Sequence, residues 1–154
     1  MTTTKLTIDH SALVETTQML QASARSECVL LWLAARDGQH LCVQEVYRPA
    51  QRASEDFFEI PRDSMAAVMT RLRTQSLFIA AQVHTHPGRA FHSAADERWA
   101  IVRHVGALSV VIPDFARNTS PVRFFDKSAI FRLDERGQWQ QMASADEVLF
   151  VRGS

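Results

Sequence analysis

The chain has 154 residues, 46% of them apolar and 22% charged, with 17 basic and 17 acidic side chains. That is the composition of an ordinary globular chain, long enough to bury a core, and its length is that of one domain covering residues 1–154. The charge balance supplies no basic patch for nucleic acid and no attraction to a membrane surface. No apolar run approaches the roughly 20 residues that span a bilayer. The opening MTTTKLTIDH has no signal-peptide core, so the expected address is cytoplasmic. Cys28 and Cys42 lie in apolar runs without CxxC spacing and read as buried free thiols of a reducing compartment.

Taken in chain order, Asp9 is a good N-cap, with Ile8 and Leu13 placed as a hydrophobic staple, and a helix is expected over about 10–24. Cys28 to Ala35 is a short continuous apolar run, the pattern of a buried strand. Arg36-Asp37-Gly38-Gln39 turns it back into a hairpin partner, Leu41 to Tyr47. Pro49 to Asp56 reads as a polar loop and Phe57 to Ile60 as a short strand ended by Pro61. Met65, Val68, Met69 and Leu72 recur at helical spacing, which predicts a helix over about 62–74. Leu77 to Thr85 is a central strand by composition, and a third helix is expected from Ala94 to Val105, between Ser93 and Gly106. Ala107 to Ile112, Val122 to Phe125 and Ala129 to Leu133 are expected strands, Glu135-Arg136-Gly137 a turn, and Ala145 to Arg152 fits helix or strand equally. Helices interleaved with buried strands give the α/β class, a central mixed sheet flanked by helices.

The chemistry concentrates after the central strand, in His84-Thr85-His86-Pro87 and Ser93-Ala94-Ala95-Asp96. Residues at i and i+2 of an extended segment point the same way, so the two imidazoles converge. Asp96, ten residues after His86, can fold back as a third ligand. Two imidazoles and one carboxylate leave a zinc position open, the layout of a catalytic site. Each residue also has a plain structural role. Ser93 and Asp96 fit a helix N-cap with an acid in the first turn, and either histidine alone would suit a core or a surface.

Zinc hydrolysis also needs a base for the attacking water. Glu27, just before the apolar run Val29 to Leu33, is the candidate, and the pattern equally allows surface punctuation. Glu45 is the second choice, although its hairpin strand suits a solvated face. His92 reads as a loop residue near the site mouth. His10, His40 and His104 read as solvated, and Trp99 as a core residue of the third helix.

Together Glu27, His84-Thr85-His86-Pro87 and Ser93-Ala94-Ala95-Asp96 resemble the JAMM (MPN-plus, Prok-JAB) zinc metalloprotease motif. The surroundings are similar too. Ser26-Glu27-Cys28-Val29-Leu30-Leu31-Trp32 resembles the family's glutamate-bearing strand, Phe58-Glu59-Ile60-Pro61 the lead-in to its second helix, and Leu108 to Pro113 the strand after its metal helix. The resemblance covers roughly residues 6–135. Two departures stand: the loop from His86 to Ser93 is shorter than in eukaryotic members, as in prokaryotic ones, and the glycine that often follows the glutamate is missing.

The resemblance implies a single-domain JAB/MPN fold, of the cytidine-deaminase-like type. It implies zinc on His84, His86 and Asp96 with a water in the fourth position, Glu27 as general base and later acid, and Ser93 as oxyanion donor. Pro87 would set the chain direction after the ligands. The implied activity is that of a bacterial deubiquitinase-like isopeptidase, cutting after the C-terminal glycine of a ubiquitin-like protein or its conjugates. Ubiquitin-activating and conjugating homologues would be pathway partners, an antiviral pathway being one setting. A peptidase that processes a ubiquitin-like sulfur carrier is the alternative enzyme, an MPN-minus scaffold the non-enzymatic alternative, and a DNA-repair relative the weakest.

Overall fold

The computed structural model of the chain describes residues 4–55, 58–91 and 101–153. Its framework is one mixed sheet of eight strands. Those strands are β1 (Leu6–Asp9), β2 (Val29–Asp37), β3 (His40–Tyr47), β6 (Phe78–Thr85), β7 (Leu108–Ile112), β8 (Ala129–Leu133), β9 (Trp139–Gln141) and β10 (Leu149–Arg152). They lie in the order β10-β1-β3-β2-β6-β7-β8-β9. Two short strands, β4 (Arg52–Ala53) and β5 (Phe58–Glu59), pair apart from the sheet, so the expected polar loop holds a strand of its own. Among the described residues the α-helices are α1 (His10–Ala22) and α2 (Arg62–Gln75). None of the described helices is long and apolar enough to cross a membrane.

The centre of the sheet is built from the most apolar segments. Every residue of β2 from Val29 to Ala34 and every residue of β7 is buried, which requires cover on both faces. One face receives α1: Leu13 and Leu20 join Leu30, Trp32, Val83, Val110 and Ile112 in the main cluster. Leu6 and Leu149, from the β10 end of the sheet, belong to the same cluster as Ile130 of β8, so the sheet wraps around α1. The other face meets α2 through a smaller cluster of Leu31, Leu33, Val68 and Ile79.

Asp9 does occupy the N-cap of α1, and Ile8 and Leu13 are both buried as the staple requires. The aspartate side chain makes no cap bond. Its carboxylate accepts from Arg152 Nε at 2.6 Å, a bond that lowers the Asp9 pKa and ties β10 to the start of α1. In α2 only Val68 is fully buried and Met69 is 46% exposed, so the apolar spacing located the helix while overstating its buried face.

Several expectations are corrected or resolved by the structure. Val122 to Phe125 is not a strand but a run of tight turns, closed by Arg123 N–H to Ser120 O and Asp126 N–H to Arg123 O. A strand would send Phe124 and Phe125 to opposite faces, whereas the turns bring both rings against Trp32, at centroid distances of 6.1 and 6.4 Å. The ambiguous tail splits into a 3-10 turn, Ala145–Glu147, with a Ser144–Glu147 capping box, followed by β10. Residues 94–100 of the expected third helix lie outside the described residues; Ile101 to Val105, its remainder, form bends and turns. Cys28 is buried as expected, but Cys42 is only half-buried; both are free thiols. His104 is exposed, yet it sets its ring edge-on to Phe78, and partial burial lowers its pKa.

Helix α2 ends on Ser76, which adopts a left-handed backbone (φ +55°) while its N–H and that of Leu77 bond Leu72 O. A side chain there costs about 1 kcal/mol relative to glycine. Ser76→Gly is therefore expected to raise stability by roughly 0.5–1 kcal/mol, read as a higher thermal midpoint.

Candidate active site

Strand pairing brings the separated sequence signals together. In the antiparallel β2–β6 ladder Val29 lies opposite His84. The pairing continues past the strand ends: Thr85 N–H donates to Cys28 O and Cys28 N–H to Thr85 Oγ1, both at 3.1 Å. Alternation then sets Glu27, two residues before Val29, opposite His86, two after His84. Glu27, His84 and His86 are 6, 0 and 5% exposed. The imidazole centroids lie 5.2 Å apart with the rings inclined at 49°.

Each side of this constellation is held by groups that the sequence reading did not single out. The Gln51 side chain acts as a missing strand beside β2. Its Oε1 accepts from Val29 N–H at 2.9 Å, and its Nε2 donates to Val29 O and Pro49 O at 3.0 and 2.8 Å. Glu27 N–H donates to Ser54 O at 2.7 Å, so the segment from Pro49 to Ser54 clamps the glutamate end of the site.

On the histidine side, His86 N–H donates to Ile112 O and Phe115 N–H donates to His86 O, each at 2.9 Å. The latter bond comes from a 3-10 turn, Asp114–Ala116, whose three residues all have positive φ, +56°, +52° and +62°. Three consecutive non-glycine residues in that region cost about 1–2 kcal/mol each. The strain is held by the bonds the turn makes back to the site, which also include Asp114 N–H to Gly88 O at 2.9 Å. The Phe91 ring stands edge-on to His86 at 4.7 Å. Phe91 itself is 45% exposed.

Glu45 is excluded as the base by its position. It pairs with Leu33 on β3, and its carboxylate is taken in a fork by Arg71 of α2, at 2.9 and 2.8 Å. Ser93, Asp96, His92 and Trp99 lie outside the described residues. Among the described residues no three of His, Cys, Asp and Glu form a group able to hold a metal ion, so Glu27 does not complete one with the histidines. The two described histidines are nonetheless donors of the type zinc takes, buried imidazoles close together at one strand end.

Comparison with solved structures places the fold beside protein DSY2949 from Desulfitobacterium hafniense. The TM-score is 0.67 at 17% identity, covering 97% of this chain and 94% of that one, which is a likeness of fold. No family model matches the sequence. Among curated proteins it is 33% identical over 123 residues to Probable metalloprotease y4jG of Sinorhizobium fredii (strain NBRC 101917 / NGR234), across 77% of this chain and 74% of that protein. The chain belongs to the family of that metalloprotease. The name of this relative implies a metal cofactor.

Proposed function

We propose that the chain is a zinc-dependent peptidase of the JAMM (MPN-plus) type that cuts after the C-terminal glycine of a ubiquitin-like protein. The observation that carries this reading is the buried pair His84 and His86, on one face of a strand end, with Glu27 facing them from the neighbouring strand. The Ser93-x-x-Asp96 sequence follows at the spacing the motif needs, and the metalloprotease relative supports the same class.

His84, His86 and Asp96 would hold the ion. Bound zinc supplies Lewis-acid polarisation of the scissile carbonyl and eases loss of a proton from water. Glu27 takes that proton and returns it to the leaving amine. Its burial keeps bulk water from competing for the transfer. Ser93 donates a hydrogen bond to the oxygen on which charge develops. The substrate's tail, extended and narrow after a terminal glycine, suits a site at the end of strands, where its backbone can bond a sheet edge.

Two measurements on purified protein test the reading. Metal analysis is expected to give one zinc per chain. Incubation with a ubiquitin-like precursor carrying a C-terminal extension is expected to release the extension, and a chelator is expected to stop the cleavage. A well-folded chain that takes up no zinc overturns the metalloprotease reading. Zinc uptake without cleavage of such precursors overturns the substrate assignment alone.

A further inference from the structure

Gln82 lies on β6 two residues before His84, on the same face of the sheet, and is 2% exposed. A buried glutamine is costly unless its amide is satisfied, and this amide is spent on one junction. Its Nε2 donates to Ser109 Oγ of β7 at 3.2 Å, and its Oε1 accepts from the backbone N–H of Ile101 at 2.9 Å and of Val102 at 3.5 Å. Ile101 and Val102 follow the stretch that carries Ser93 and Asp96. At the other end of that stretch the chain leaves His86 and Gly88, whose carbonyls are fixed by Phe115 and Asp114. One end is therefore tied by backbone bonds to β7 and the turn that follows it, and the other to β6 and β7 through the Gln82 side chain.

We propose that Gln82 is a positioning residue for the metal site: it fixes where the chain that bears Ser93 and Asp96 in sequence rejoins the sheet, at Ile101 and Val102, and through that anchor it governs zinc affinity. The proposal rests on the zinc-peptidase reading and deepens it. Gln82 touches neither ion nor substrate. It acts by holding the amides of Ile101 and Val102 in register with the strand that carries both imidazoles. Outer groups of this kind typically govern metal affinity by 10–100-fold.

The test compares Gln82→Met, which keeps the side-chain length and removes the acceptor, with Ser109→Ala, which removes the hydroxyl and leaves the acceptor in place. Zinc affinity is measured by competition with a chromophoric chelator at a temperature where circular dichroism shows each variant folded. Hydrogen exchange at the Ile101 amide is measured on the zinc-free chains. Gln82→Met is expected to bind zinc at least about 10-fold more weakly and to lose protection at Ile101. Ser109→Ala is expected to keep both near the parent values. Should Gln82→Met fail to fold, Gln82→Asn, one methylene too short to reach Ile101, is expected to show the same loss. Parent-like zinc affinity in a folded Gln82 variant overturns the proposal, as does an equal weakening in Ser109→Ala. A parent chain that binds no zinc overturns the functional reading on which it rests, and Ile101 exchange then still reports whether the anchor exists.

Discussion

Glu27→Gln is expected to lower kcat for cleavage of an extended ubiquitin-like precursor by about 10²–10⁴-fold, with zinc content and thermal midpoint unchanged. The carboxamide has the same shape but cannot take a proton from the attacking water at neutral pH. The backbone keeps its place, because Glu27 N–H bonds Ser54 O and the neighbouring Val29 is held by Gln51, neither through the glutamate side chain. Under the proposed ligand set of His84, His86 and Asp96, exchanging the carboxylate for the amide removes no donor, so metal uptake separates loss of the base from loss of the site. Comparable rates in parent and variant would remove Glu27 from the mechanism. Loss of zinc from the variant would instead make the glutamate a ligand.

The parts of this arrangement that were legible in the sequence are those fixed by local pattern. A continuous apolar run marked β2 and β6, an N-cap with a hydrophobic staple marked α1, helical spacing marked α2, and His84-Thr85-His86 at a strand end predicted two imidazoles on one face, where the structure has them. What local pattern cannot carry is pairing. β1 was missed because Leu6 to Asp9 is short and stabilised by parallel partners distant in sequence, β3 and β10. β9 was missed because Trp139 to Gln141 has no apolar alternation and exists as the return of a turn. The Asp134 carboxylate fixes that turn through the N–H groups of Arg136 and Gln138.

The supports of the site were hidden for a related reason. Gln51 and Gln82 are ordinary polar letters in sequence, and only a bond across the sheet or across a loop gives them a task. The left-handed turn at Asp114–Ala116 carries no glycine to announce it. Its conformation is imposed by the bonds it makes to His86 and Gly88 rather than chosen by its residues. Pro113, which stopped the expected strand correctly, gave no sign of what followed.

Trp32→Ala is expected to be among the most damaging substitutions in the chain, costing about 3–5 kcal/mol of stability. The indole is completely buried in the centre of β2, at the point where α1, the sheet and the Phe124–Phe125 turns meet. It also has a polar duty. Trp32 Nε1 donates to Thr16 Oγ1 at 3.0 Å, and that hydroxyl donates in turn to Ala12 O at 2.7 Å, so the indole is hydrogen-bonded into α1 as well as packed against it. Truncation therefore leaves a cavity too large for neighbouring side chains to close and strips the Thr16 hydroxyl of its donor. Trp32→Phe should lose less, about 1–3 kcal/mol, since it keeps most of the ring volume and forfeits the hydrogen bond. Chemical denaturation of both variants checks the ordering. A Phe variant as unstable as the Ala variant would show that the link to Thr16, rather than the filled volume, fastens α1 to the sheet that carries Glu27, His84 and His86.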